Sequence, residues 1–374
     1  MTRIVFTGGG TGGHIFPGLA VVDELKSISD ADIAWIGSSR GIDRELVSGH
    51  GVRFYGIPSG KLRRYVDFRN VIDAFKIVAG CFCAFFLMLK LRPSVVFSKG
   101  GFVSVPPCFA AWLLRIPVIT HECDFSPGLA TRINSRFASR ILVSYEDTRD
   151  AFDAKKKARV TVTGNPVRGA FYSVQAERGR AFLGCSDSSL PIVMVQGGSL
   201  GARQVNDMVS GCVDRLCETC LVVHQTGSGN VDQFATSQNP IVKERYKPYP
   251  FIRAEMADVV AAADIVVSRS GANAIWECAA AGKPMILIPL EKGSSRGDQV
   301  ENAAYFVSKG AAVMLSGKDA TADKLLEAVG TLIRDEKLRR GMAGNARSLG
   351  ASRPAAAIAL IVRDEAAKRA GSGR

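Results

Sequence analysis

The 374-residue chain carries 48 lysines and arginines against 35 acids, a formal charge of +13, with 47% hydrophobic and 22% charged residues. That length exceeds what one hydrophobic core serves, so two domains are expected, and the composition excludes a disordered or fibrous chain. The charge points to an anionic partner: nucleic acid, a phosphorylated substrate or an acidic lipid surface.

The N-terminus enters a strand at Ile4-Val5-Phe6, which argues against a signal peptide. Strands are predicted at 3–7, 32–37, 94–98, 117–120, 140–144 and 159–163, with helices at 16–27, 42–48, 68–90, 104–114 and 127–136. Such alternation means a parallel sheet covered on both faces. The first strand runs into Gly8-Gly9-Gly10-Thr11-Gly12-Gly13, where a backbone without Cβ atoms and a helix N-terminus suit a phosphate. A dinucleotide site would also want an acid after the second strand. Gly37-Ser38-Ser39-Arg40 stands there, which argues against NAD and leaves NADP open through Arg40. His14 adjoins this turn and is a candidate general base.

The longest apolar stretch, Ile77 to Leu89, has 13 residues, short of the ~20 that span a bilayer. The helix around it carries Val71, Ile72, Phe75, Val78, Phe82, Phe85, Phe86 and Met88. Lys61, Arg63, Arg64 and Arg69 precede the apolar stretch, and Lys90 and Arg92 follow it. It reads as a buried helix or as an interfacial one. The run Lys155-Lys156-Lys157 reads as a solvated basic face.

Thr163-Gly164-Asn165-Pro166-Val167 breaks the pattern and marks a hinge. Strands follow at 191–196, 221–225, 249–252, 264–268, 285–288 and 311–314, with helices at 202–217, 254–262, 271–281, 298–309, 320–334 and 335–347. The predicted class is α/β, with two Rossmann-like, doubly wound parallel-sheet domains facing across a cleft. Their spans are 1–165 and 166–353, and an alanine-rich helix at about 354–370 packs back on the first. The second domain opens on its own glycine turn, Gly197-Gly198-Ser199. Further on, Ser268-Arg269-Ser270-Gly271-Ala272-Asn273 opens a helix suited to a diphosphate. Glu277 on that helix can bind ribose hydroxyls or be a surface acid. Asp298 can cap the next helix, and Gln299 can bond sugar hydroxyls. Nine cysteines show no disulfide spacing. Cys212, Cys217, Cys220 and His224 could hold a metal, but no second cysteine pair completes a zinc site.

Seven motifs in one order, running through nearly the whole chain, resemble the bacterial MurG glycosyltransferases. They are Gly8 to Gly18, Gly100-Gly-Phe-Val-Ser-Val-Pro106, His121-Glu122, Gly164-Asn-Pro-Val-Arg168, Gly197-Gly-Ser-Leu-Gly-Ala-Arg203, Ser268-Arg-Ser-Gly-Ala272 and Gly297-Asp-Gln299. The resemblance implies a GT-B fold and an inverting transfer of GlcNAc from UDP-GlcNAc to undecaprenyl-diphosphoryl-MurNAc-pentapeptide (lipid I), giving lipid II. It implies His14 as base with Glu122 second. Thr11, Gly12, Gly13, Arg168, Ser199, Ile252, Ala272, Asn273, Glu277 and Gln299 are implied as donor contacts, Ile252 through its backbone. Gly8, Gly9, Gly10, Gly100, Gly101 and Asp124 would hold the acceptor. Cys123 and Asp124 depart from the pattern of many relatives, which have asparagine in this loop.

No metal is expected to be required, with Mg²⁺ at most a stimulant, because Asp30-Ala31-Asp32 reads as a turn. The implied partners are UDP-GlcNAc, lipid I, anionic lipids and other cell-wall synthesis proteins, and the implied location is the cytoplasmic face of the inner membrane. A nucleic-acid-binding protein would explain the charge but not the paired glycine turns. A UDP-GlcNAc 2-epimerase or a galactolipid synthase would share the fold but not the 100–128 pattern.

Overall fold

A computed structural model describes residues 2–60, 69–198, 201–228, 230, 238–291 and 297–372. Lys61, Arg63, Arg64, Ser199 and the side chains of Arg69, Val71 and Ile72 lie outside the described residues. The chain forms two compact units, residues 1–168 with 353–374, and residues 169–352.

In the first unit, β1 (Arg3–Thr7), β2 (Asp32–Ser38), β3 (Arg53–Ile57), β4 (Val95–Ser98), β5 (Val118–Glu122), β6 (Arg140–Val143) and β7 (Val160–Val162) form a parallel sheet in the order β3-β2-β1-β4-β5-β6-β7. Helices on both faces make its strands continuous apolar runs. Phe6, Trp35 and Phe97 pack on one face with Val21 and Leu25 of the helix Gly12–Ile28 and with Ile358 and Val362 of the helix Pro354–Ser372. The Phe6 ring lies 5.7 Å from that of Trp35 and 5.2 Å from that of Phe97. Val5, Ile36 and Val96 face the other way, onto Ala84 and Met88 of the helix Arg69–Leu91 and Ala111 of the helix Val105–Leu113.

The second unit repeats the plan. β8 (Ile192–Gln196), β9 (Leu221–Gln225), β10 (Tyr246–Tyr249), β11 (Ile265–Ser268), β12 (Met285–Leu287) and β13 (Ala312–Met314) run parallel in the order β10-β9-β8-β11-β12-β13. The strand order of each sheet reverses once, between β1 and β4 and between β8 and β11. Open α/β sheets form a crevice at the carboxyl ends of the strands at such a point.

Four elements depart from expectation. The edge strand β3 carries Gly56 and alternates poorly, so its pattern hides it. β10 covers 246–249 rather than 249–252, because an edge position tolerates Pro248. The helix expected at 202–217 breaks into Arg203–Ser210 and Val213–Thr219 around Gly211 and Cys212. The first helix begins at Gly12, not 16, which puts His14 in its first turn.

The remaining polar groups of note are structural. Cys212 and Cys220 donate to the carbonyls of Met208 and Leu216, and His224 bonds Tyr246 and Asn206. Lys156 and Lys157 pair at the surface with Asp153 and Asp150.

Candidate active site

In the first unit the reversal point is flanked by the two glycine turns, Gly8-Gly9-Gly10 after β1 and Gly100-Gly101 beyond β4. They touch. A Cβ at Gly101 would stand 2.6 Å from the Gly9 carbonyl and 3.1 Å from His14 Cδ2, and Gly100 and Gly101 have φ of 85° and 78°. Only glycine meets both demands without strain. Behind the first turn, Asp43 is fully buried. Its carboxylate accepts the Gly10 N–H at 2.9 and 3.1 Å and the Ser38 N–H at 2.9 Å, and a Cβ at Gly9 would overlap it. Trp35 Nε1 donates to the Gly8 carbonyl at 2.9 Å.

Burial raises the Asp43 pKa above its ordinary 3.8, against the pull of the two N–H donors. A carboxyl with a raised folded pKa holds its proton more tightly in the native state. Its contribution therefore favours the fold at low pH and is lost as pH rises from 3.8 through the raised value. Asp43→Asn should remove that component from a plot of stability against pH. Asp43→Ala leaves the buried Ser38 N–H and the part-buried Gly10 N–H without this partner and should cost about 1–3 kcal/mol in a urea titration.

His14 Nδ1 lies 3.2 Å from the Lys99 carbonyl. A carbonyl can only accept, so Nδ1 carries the proton and the neutral ring keeps its lone pair on Nε2. Ser104 Oγ donates to the Gly101 carbonyl at 2.7 Å, and Asn134 donates to Ser98 and Ser104, which fixes the second turn from below. Arg168 lies over the Phe16 ring at 5.4 Å, beside the first helix.

In the second unit the carboxyl strand ends gather Gly197, Gly198, Gln225, Ile252, Ser268 to Gly271 and Gln299. Gln225 Nε2 donates to the Gly198 carbonyl at 3.2 Å, and its Oε1 accepts the Ile252 N–H at 2.9 Å. The helix Ala272–Ala280 starts beyond Gly271, whose N-cap position supplies no side-chain cap. Asn273 and Glu277 stand one turn apart on one face of it. Gln299 Oε1 accepts the Leu290 N–H at 3.1 Å and approaches Arg269 Nε at 3.5 Å. Burial lowers the Arg269 pKa, and Asp298 opposes that shift.

The two halves match the glycosyltransferase family 28 N-terminal domain over residues 4–143 and the family 28 C-terminal domain over residues 192–357. A crystal structure of MurG from Acinetobacter baumannii shares the fold with a TM-score of 0.74, at 24% identity, covering 97% of this chain and all of that one (100%). A UDP-N-acetylglucosamine–N-acetylmuramyl-(pentapeptide) pyrophosphoryl-undecaprenol N-acetylglucosamine transferase of Treponema denticola is 54% identical, over 96% of this chain and 94% of its own. The chain belongs to the MurG family of glycosyltransferases. A relative from Bacillus cereus whose name describes the same transfer is 42% identical, over 90% of this chain and 93% of its own.

Two of the expected site residues already have partners in this MurG-family chain. Glu122 is buried, and both its oxygens are taken: Oε1 by the Cys123 and Asp124 N–H groups at 2.9 and 3.1 Å, Oε2 by the Gly128 N–H at 2.9 Å. These three bonds tie the Glu122 carboxylate to the backbone of the loop that carries Asp124. The Ile252 N–H is already given to Gln225, so a base docking there meets the Ile252 carbonyl or displaces Gln225. Asp43, Gln225 and Arg269 went unassigned as site residues in the sequence. Arg269 sits inside a quoted motif and was within reach of a reading that weighed charge at the strand end.

Proposed function

We propose that the chain transfers N-acetylglucosamine from UDP-GlcNAc to lipid I, with inversion at the anomeric carbon, forming lipid II. The near full-length match to transferases named for this reaction carries the reading. Residues 169–352 bind the donor. Its diphosphate meets the helix start at Ala272 and Asn273 together with Gly197, Gly198 and Ser199, its ribose meets Glu277, its uracil the Ile252 backbone and its sugar Gln299. Thr11, Gly12, Gly13 and Arg168 complete the donor contacts. Gly8, Gly9, Gly10, Gly100, Gly101 and Asp124 hold the acceptor.

The acceptor hydroxyl oxygen attacks the anomeric carbon as the bond to UDP breaks, and His14 Nε2 takes the hydroxyl proton. UDP departs with the extra charge on its diphosphate, where helix N-termini, Arg168 and Arg269 stabilise it. These donors do the work a metal would otherwise do, so Mg²⁺ acts at most as a stimulant.

We place the enzyme peripherally on the cytoplasmic membrane face, with anionic lipids and other cell-wall synthesis proteins as partners and no nucleic acid. Among the described residues no helix is long and apolar enough to cross a membrane. The helix Arg69–Leu91 nevertheless exposes Phe75, Val78, Phe82, Phe86 and Leu89, while Ala84, Met88 and Leu91 pack inward. Trp112 and Leu113, on the helix Val105–Leu113 packed against it, are exposed as well. A patch of this kind marks an interaction surface.

The purified full chain, given radiolabelled UDP-GlcNAc and a short-chain lipid I analogue, should produce labelled disaccharide-linked product. No transfer in that assay would overturn the assignment.

A further inference from the structure

Lys99 lies where three loops of the first unit meet. Its N–H donates to the Thr7 carbonyl at 2.8 Å, just before the first glycine turn, and its own carbonyl holds His14. Its Cβ lies 3.2 Å from where a Cβ on Gly8 would stand, and the next residue is Gly100. The side chain reaches the electrostatic neighbourhood of His121 and Cys123 on the third loop. Lys99 is 1% exposed, and among the described residues its Nζ has no well-formed hydrogen bond, the Cys123 thiol it reaches being a weak acceptor.

A buried ammonium without a partner is costly, and folded proteins pair such groups or leave them out. Glu122 and Asp124 lie on the same loop as Cys123 and offset part of the Lys99 charge, but the groups around it do not take up its N–H donors. Burial pushes the Cys123 thiol up to about 12, so it stays neutral and is a weak acceptor. Burial, then the charge of Lys99 itself, holds the His121 pKa well below its ordinary 6.5, so that ring is neutral too. Glu122, the adjacent acid, has its carboxylate occupied by three backbone N–H groups. A buried ammonium with unused donors under two glycine turns that a diphosphate can approach closely is suited to bind an anion.

We infer that Lys99 is an acceptor-binding residue whose ammonium takes the diphosphate of the lipid-linked acceptor. This rests on the transfer proposed above. The flexible four-carbon stem of lysine lets the charge shift toward the turn as the anion arrives. It follows that this residue opposes stability in the free enzyme and contributes to binding in the complex, the trade-off expected of a functional group.

Lys99→Met keeps the volume and removes the charge. Its KM for a short-chain lipid I analogue should rise about 10- to 100-fold, the loss expected for a charge-assisted contact. Its KM for UDP-GlcNAc should not change, and its Tm should equal or exceed that of wild type. Lys99→Arg, which keeps a cation, should recover most of the acceptor affinity. An unchanged acceptor KM overturns the proposal, as does a rise in the KM for UDP-GlcNAc instead. A lower Tm or loss of folding in Lys99→Met also overturns it, because the ammonium would then be a structural group. Wild type run alongside separates these results from failure of the transfer assignment, in which wild type itself would make no product.

Discussion

His14→Ala should lower kcat for transfer by about 10²- to 10⁴-fold, the range for loss of a positioned general base. The KM for UDP-GlcNAc should stay near the wild-type value, since the donor contacts proposed for the second unit are untouched. The structure also supplies a control. His14 Nδ1–H ties the first helix to the Lys99 carbonyl, so alanine removes both a tie and a base. Asparagine at position 14 can place an amide N–H near the Nδ1 position and donate the same bond, but it cannot take a proton. His14→Asn should therefore be about as slow as His14→Ala. Recovery of most of the activity by asparagine would assign the residue to holding the loop, and the base would have to be sought elsewhere.

The double substitution Phe82→Glu with Phe86→Glu should lower affinity for vesicles rich in anionic lipid by about 100-fold or more. The two rings are 63% and 64% exposed, and Phe75, at 73%, lies on the same face. Withdrawing an aromatic side chain from the interface loses roughly 1 kcal/mol or more, and a carboxylate near an anionic surface loses about another 1 kcal/mol. Two such changes reach the stated factor. Both side chains point away from the core residues Ala84, Met88 and Leu91, so Tm should move little. Sedimentation with vesicles reads the result, and unchanged binding at unchanged Tm would remove this helix from membrane attachment.

The strand ends and glycine turns are legible in the sequence because they are local. Each is a short apolar run followed within a few residues by small ones, and the reversal points follow once the strands are ordered. The Asp43 clamp is not local: the Gly10 N–H it accepts lies 33 residues away, and the carboxylate reads in isolation as a helix-start acid. Glu122 is read in the sequence as a glutamate beside a histidine near an expected site, which suggests proton transfer, and the three backbone N–H groups its carboxylate accepts are not written in that pattern. A lysine before two glycines has the pattern of a solvated loop residue, and the burial of Lys99 is not written in it. For the amphipathic helix the structure makes one face core and leaves the other exposed.

The return of the helix Pro354–Ser372 to the first unit has a consequence for synthesis on the ribosome. The first unit is split in sequence, whereas residues 169–352 are contiguous. Ile358 and Val362 are fully buried against the Gly12–Ile28 helix and the sheet, and together contribute roughly 3–6 kcal/mol. That is a large share of the ~5–15 kcal/mol that holds a typical domain. While the chain is growing, the segment made first must wait with an apolar groove uncovered until the segment made last emerges. The second unit can complete its core during that wait. Nascent-chain proteolysis should therefore find residues 169–352 protected before residues 1–168, the reverse of the usual N-to-C order.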